Sequence, residues 1–222
     1  MSDIAARLAS WVAAGRTTVH ELDAKALLAT AGIAIPHRNP TSGATVVKIA
    51  SDQYPHKTEH GLVRVGVAAC DAQAVADELA AKISSGEKLI EEMITDGVAE
   101  WIVGCRHDAT FGPIVVVGVG GILVELLDEV KIRLAPVDLA TARRAIQSQR
   151  GARILEGLRG KPPGDLEALA ALVVRLSQIF AEHADIIDEI EVNPVIVRPV
   201  GKGAVVADAL MKLKRPSDSA TR

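Results

Sequence analysis

The chain reads Glu189-Ile190-Glu191-Val192-Asn193-Pro194-Val195-Ile196-Val197 and, beyond Arg198-Pro199-Val200-Gly201-Lys202-Gly203, Ala204-Val205-Val206-Ala207-Asp208-Ala209. Two apolar runs joined by a turn rich in proline and glycine predict a strand hairpin. Both runs carry oxygen-bearing side chains in their interiors, where burial is costly unless something compensates for it. Glu191, Asn193 and Asp208 facing one another across such a hairpin would offer an amide and two carboxylates to a hard cation such as Mg2+. A strand pair with a solvated polar face is the alternative, and the hairpin alone does not choose between them.

Working outward, 222 residues suffice for one large domain or two lobes, and 49% hydrophobic residues supply a core. A formal net charge of −3 gives no polyanion-binding surface. The aromatic residues are Trp11, Tyr54, Trp101, Phe111 and Phe180, too few for the stacking platforms that bind single-stranded nucleic acid. Cys70 and Cys105 lie far apart with no CxxC pattern and read as reduced, buried thiols, with a lone bridge as the alternative. The N-terminus lacks the signature of a signal peptide and no run reaches membrane-spanning length, so the expected location is cytoplasmic.

Helical spacing is present over 3–14 and 20–31, and the loop 36–43 leads to a strand over 45–50 and another over 62–67. A helix is expected over 71–84. Short β-branched runs follow at 88–93, 100–106, 113–119, 122–126 and 130–134, then helices at 139–148, 152–158 and 165–184. The residues after 215 read as a frayed tail. Strands grouped together rather than alternating with helices favour an α+β fold over a doubly wound sheet.

Several residues have chemistry to offer, each with an ordinary alternative. Lys48 stands alone in an apolar strand, either at a sheet edge or aimed at a ligand anion. The loop after it holds His56, Lys57, Thr58 and Gly61; free amides and a cation can fold over phosphates, and an imidazole can accept a phosphoryl group. A solvated hairpin is the other reading. Glu91-Glu92-Met93 ends a strand where a carboxylate can meet a ribose or purine edge and a thioether can pack on a base; a core methionine with solvent-facing glutamates is the alternative. The run Gly118-Val119-Gly120-Gly121 lacks the GxGxxG spacing and leads to a strand, so it is no dinucleotide fingerprint, and no GxxxxGK[ST] loop is present.

In order along the chain, these segments resemble the ATP-grasp domain of the NDP-forming acyl-CoA synthetases and, more distantly, the succinyl-CoA synthetase β subunit. The pieces are Leu27–Ile33, Val47–Ser51, His56–Val63, Ile90–Met93, Glu100–Gly104, Arg106–Asp108, Phe111–Gly121, Glu125, Asp128, Arg133, Pro136, Glu191–Pro194 and Ala207–Ala209. They span residues 20–213. The resemblance implies an α+β ATP-grasp fold of two lobes with nucleotide in the cleft between them. The expected divisions are an N-terminal helix over 1–19, a shortened first lobe over 20–92, a second lobe over 93–214 and the tail over 215–222. It implies that Lys48, Lys57, Thr58 and Gly61 serve the phosphates of ATP or ADP, that Glu92 and Met93 form the purine hinge with Glu100 alongside, and that Asn193 and Asp208 hold Mg2+. His56 would relay the phosphoryl group, and Glu191 would orient the phosphohistidine of a partner. Two positions depart from the pattern: the first lobe is cut down between Ala34 and Val47, and Gly61-Leu62-Val63 stands where Gly-Gly-Val is usual.

The expected function is the nucleotide-binding subunit of an ADP-forming acyl-CoA synthetase in a hetero-oligomer. With no Rossmann region in this chain, the expected partner is a CoA-binding α-type subunit bearing a phosphorylatable histidine. A non-catalytic regulatory or scaffolding subunit is the alternative, and a carboxylate-amine ligase a third reading, which would require neither His56 nor Glu191.

Overall fold

The computed structural model describes residues 3–54, 57–121, 129–158 and 160–215. Two antiparallel sheets carry the molecule. The smaller is built from β2 (Ala44–Ala50), β3 (Val63–Ala68) and β4 (Glu87–Glu92), in the order β3-β2-β4. Alternation along β2 places Val47 and Ile49 in one core with Leu79 of helix α3 (Ala72–Ala80), and the intervening Lys48 on the opposite face.

Among the described residues the larger sheet has seven strands. β1 (Thr18–Val19), β10 (Ala209–Leu213), β8 (Ile187–Val197), β5 (Ala99–Asp108), β6 (Gly112–Val119) and β7 (Val130–Leu134) lie side by side, and β9 (Ala204–Val206) also pairs with β8. Helices α4 (Leu139–Gln147) and α5 (Leu166–Glu182) contribute Ile146, Leu169, Leu176 and Phe180 to the core beneath it. On the face away from that core, Val130, Ile132 and Leu134 of β7 remain exposed. A 3-10 helix, Arg150–Glu156, replaces the α-helix expected over 152–158. The strand expected over 122–126, together with Glu125 and Asp128, lies outside the described residues.

α1 (Asp3–Ala13) and α2 (Glu21–Thr30) join the larger core through Ile4, Leu8, Ala24, Leu27 and Leu28. Helix α2 thus packs with the larger core, and the small sheet begins at Ala44. Both cysteines are free; Cys105 is buried as expected, whereas Cys70 is exposed in the turn before α3.

The C-terminal hairpin is more elaborate than its sequence implies. β9 pairs with Val195–Val197, but the partner of Glu191 is Leu210 on β10. The run expected to continue to Ala209 breaks at Ala207 and Asp208. There Ala207 N–H bonds the carbonyl of Pro194, while the Ala207 carbonyl accepts from the ammonium groups of Lys25 and Lys48 rather than from a strand.

Candidate active site

Along β8 the side chains of Ile190 and Val192 enter the core, which leaves Glu191 and Asn193 together on the other face. The Asn193 amide donates to Glu191 Oε1 at 3.3 Å, and its backbone N–H bonds the Asp208 carbonyl at 3.1 Å. The break between β9 and β10 thus brings Asp208 beside the pair. From the small lobe comes a tight turn closed by Leu62 N–H on the Lys57 carbonyl and Gly61 N–H on the Thr58 carbonyl. Gly61 has φ +63° there, a conformation that glycine adopts without steric cost. The result is a cavity of about 200 Å3 lined by Lys57, Thr58, Glu59, Glu191, Asn193 and Asp208.

Behind it lies a buried cluster of charges. Lys48 Nζ sits 2.6 Å from Glu21 Oε1, 2.6 Å from the Ala207 carbonyl and 3.5 Å from Glu91. Lys25 Nζ bonds Glu21 at 3.0 Å, Glu91 at 2.6 Å and the same carbonyl at 3.0 Å. Lys57 Nζ lies 3.1 Å from Glu21 Oε2 and 3.0 Å from the Asp208 carboxylate. Burial alone would raise the Glu21 carboxyl, yet Lys48, Lys25 and Lys57 outweigh it and bring its pKa down to about 2. Burial likewise works against the charge on Lys48, and Glu21, Asp208 and Glu91 hold its pKa above the usual range. For Asp208 burial dominates, aided by Glu21 and opposed by Lys57 and Lys48, and its carboxyl is pushed up to about 6.

A second, wider cleft of about 530 Å3 is lined by Met93, Thr95, Glu100, Gly120, Gly121 and Lys161, among others. Its wall depends on a close backbone approach: Gly120 N–H bonds the Glu100 carbonyl at 2.7 Å, and a Cβ on Gly120 would stand 3.0 Å from Glu100 C and Trp101 N. β4 links the two regions, giving Glu91 to the charge cluster and leading directly to Met93. The Glu92 carboxylate accepts from His37 N–H at 3.2 Å and does not line this cleft.

The structure therefore brings together Lys57, Thr58, Glu191, Asn193 and Asp208 around one cavity, and Met93 and Glu100 around another. Lys48 lies in the charge cluster behind, and His56 is outside the described residues. Sequence reasoning missed the roles of Glu21, Lys25 and Lys161. Glu21 and Lys25 carried no distinct signal, because a Glu–Lys pair four residues apart on a helix is ordinarily solvated.

Among the described residues no group of three or more His, Cys, Asp and Glu side chains forms a metal cage. One amide and one or two carboxylates do fit Mg2+, which keeps few protein oxygens and takes the rest from water and phosphate. Asp208 already pairs with a cation, the Lys57 ammonium at 3.0 Å.

Comparison with known proteins gives this geometry a lineage. A family model for the ATP-grasp domain matches residues 10–213. The β subunit of acetate–CoA ligase [ADP-forming] II from Pyrococcus furiosus is 30% identical over 224 residues, covering 91% of this chain and 94% of the relative. Acetate–CoA ligase [ADP-forming] I of Archaeoglobus fulgidus is 32% identical over 166 residues, but this chain spans only 24% of its length. Among solved structures, acetyl-coenzyme A synthetase 1 of Ca. Korarchaeum cryptofilum, in complex with coenzyme A and Mg-AMPPCP, superposes with a TM-score of 0.80 at 30% identity. That match covers 93% of this chain and 98% of the other. With a family model over residues 10–213 and a β-subunit relative matched over nearly its whole length, the chain belongs to the ATP-grasp domains of the NDP-forming acyl-CoA synthetases.

Proposed function

We propose that this chain is the nucleotide-binding subunit of an ADP-forming acyl-CoA synthetase, working with a CoA-binding partner that carries a phosphorylatable histidine. The net reaction is carboxylate + CoA + ATP to acyl-CoA + ADP + phosphate. The observation that carries this reading is the meeting of Lys57, Glu191, Asn193 and Asp208 around one cavity, contributed by both lobes. The purine lies in the wider cleft against Met93, with Glu100 beside it and the close Gly120 turn forming the wall. Lys57, Thr58 and the backbone of the turn ending at Gly61 meet the phosphates, and Lys48 contributes its charge from behind. Glu92, at the end of β4, holds the hinge by fixing the backbone at His37.

Asn193 and Asp208 would hold Mg2+, which would supply positive charge to offset that of the phosphates. Catalysis of that transfer rests on positioning and electrostatics, because a phosphoryl transition state asks little covalent chemistry of the protein. His56 takes the phosphoryl group on its imidazole and passes it on; Glu191 orients the partner's phosphohistidine at the mouth of the cavity. Two Pyrococcus furiosus relatives of nearly this length are themselves named as β subunits, which supports the need for a separate partner.

One observation favours the non-catalytic scaffold: the Lys48 ammonium donates to Glu21 and to the Ala207 carbonyl and lies 3.5 Å from Glu91, so much of its charge is met within the protein. Calorimetric titration with ATP and ADP, each with and without Mg2+, separates the readings. Mg2+-dependent binding that Asp208→Ala weakens by about 10- to 100-fold supports the synthetase subunit. Absence of binding by a folded chain supports the scaffold. With the CoA-binding partner added, His56→Ala abolishes CoA- and carboxylate-dependent ADP formation in an enzyme and leaves a scaffold unchanged.

A further inference from the structure

We propose that Glu21, anchored by Lys25, is a positioning residue for the phosphate end of the nucleotide site, fixing the ammonium groups of Lys48 and Lys57 where a polyphosphate is received. This rests on the nucleotide-binding reading above and extends it to residues that line neither cavity. Lysine carries a compact charge on a flexible stem, and an unfixed ammonium must be ordered each time a ligand binds. Glu21 removes that freedom. Its side chain is fully buried, and it stands on α2, whose Ala24, Leu27 and Leu28 are locked into the larger core. The carboxylate cannot follow the lysines; they come to it.

They come from different segments. Lys48 arrives from the centre of β2 and meets Oε1, while Lys57 arrives from the turn before β3 and meets the other oxygen, Oε2. Lys25, one helical turn after Glu21, bonds Oε1 and ties it to Glu91 and to the Ala207 carbonyl, which adjoins Asp208. Glu21 Oε2 is buried and meets Lys57, the lysine that lines the cavity, as an ion pair at 3.1 Å without a well-aligned hydrogen bond. Packing does not call for this arrangement, because apolar residues of similar volume replace buried ion pairs at little or no loss of stability. A fixed anion behind two lysines instead presets their spacing.

The test compares Mg-ATP with adenosine, which has no phosphates, by calorimetry on the whole chain. The variants are Glu21→Gln and the double variant Glu21→Met/Lys25→Met, which removes one charge of each sign and keeps apolar bulk on α2. Mg-ATP affinity is expected to fall about tenfold or more in both, while adenosine binds within about twofold of wild type. Glu21→Asp, which keeps the charge, recovers part of the loss. Unchanged Mg-ATP affinity in the variants overturns the inference, and tighter binding does too, since Glu21 would then compete with phosphate. Parallel loss of both ligands, or failure of both variants to fold, marks a purely structural residue and also overturns it. A folded wild-type chain that binds neither ligand brings down the nucleotide reading itself, whereas wild-type binding with unaltered variants brings down only the role of Glu21.

Discussion

Asp208 and Glu21 are carboxylates in one cluster whose surroundings push them in opposite directions. Glu21 is held below its ordinary 4.5, so its contribution to stability is complete above that pH and is lost as pH falls toward about 2. Asp208 is raised from 3.8 to about 6, so the folded chain retains a proton there that the unfolded chain has released. Its contribution therefore declines as pH rises through that window. Urea titrations of ligand-free wild type and Asp208→Asn from pH 4 to 7 measure the difference: the variant gains on the wild type up to about pH 6, and the gap is constant above it. A gap that does not change with pH would show that Asp208 titrates as an ordinary carboxylate.

At the scale of elements, the turn between β8 and β9 is held from a distance. Asp165 Oδ1 accepts from Ala168 N–H and caps α5, while Oδ2 accepts from Gly201 and Gly203 N–H at 2.9 and 3.0 Å. One carboxylate thus ties a core helix to the hairpin that carries Asn193. Asp165→Ala should cost about 3 kcal/mol, as a cap and two part-buried charge-assisted bonds are lost together and water takes over some of their work. In a chain of this size that lowers the melting midpoint by roughly 6–12 °C, measurable by circular dichroism. The elements themselves were largely legible, because strand alternation and helical spacing are local signals: β2, β6, β7 and α5 lie within a few residues of their expected limits. The break at Ala207–Asp208 was not legible, because Lys25 and Lys48, far upstream, draw that carbonyl out of the ladder. Glu21 and Lys25 were hidden for a similar reason. A Glu–Lys pair four residues apart on a helix is usually a solvated surface pair, and only the arrival of β2 and β4 buries it. Asn193 and Asp208 were legible because polar side chains inside apolar strands are conspicuous, whereas the engagement of Lys48 by carboxylates depends on tertiary contacts.

Over the whole molecule, the small sheet and the large core meet through charged side chains as well as through the chain connections. A ligand that occupies this junction stabilises the fold by mass action. Mg-ATP at about 100 times its dissociation constant should add roughly 2.7 kcal/mol and raise the melting midpoint by about 5–10 °C. Scanning fluorimetry with and without Mg2+ checks this, and Asp208→Ala should lose most of the shift at the same concentrations. An equal shift without Mg2+ would count against Asn193 and Asp208 as metal ligands.

The cluster joining the two sheets contains Lys25, Lys48 and Lys57 against Glu21, Glu91 and Asp208. Within the cluster the formal charges cancel, so orthophosphate alone or a bare divalent ion meets opposite charges that are already paired, while Glu59 and Glu191 add negative charge at the cavity wall. Either ion would leave half of the set without a counterpart. A ligand that brings an anion and its own cation together can take both places at once: phosphate on the lysines, metal on Asp208. Selection for the metal complex of a nucleotide over its separate parts follows from that symmetry.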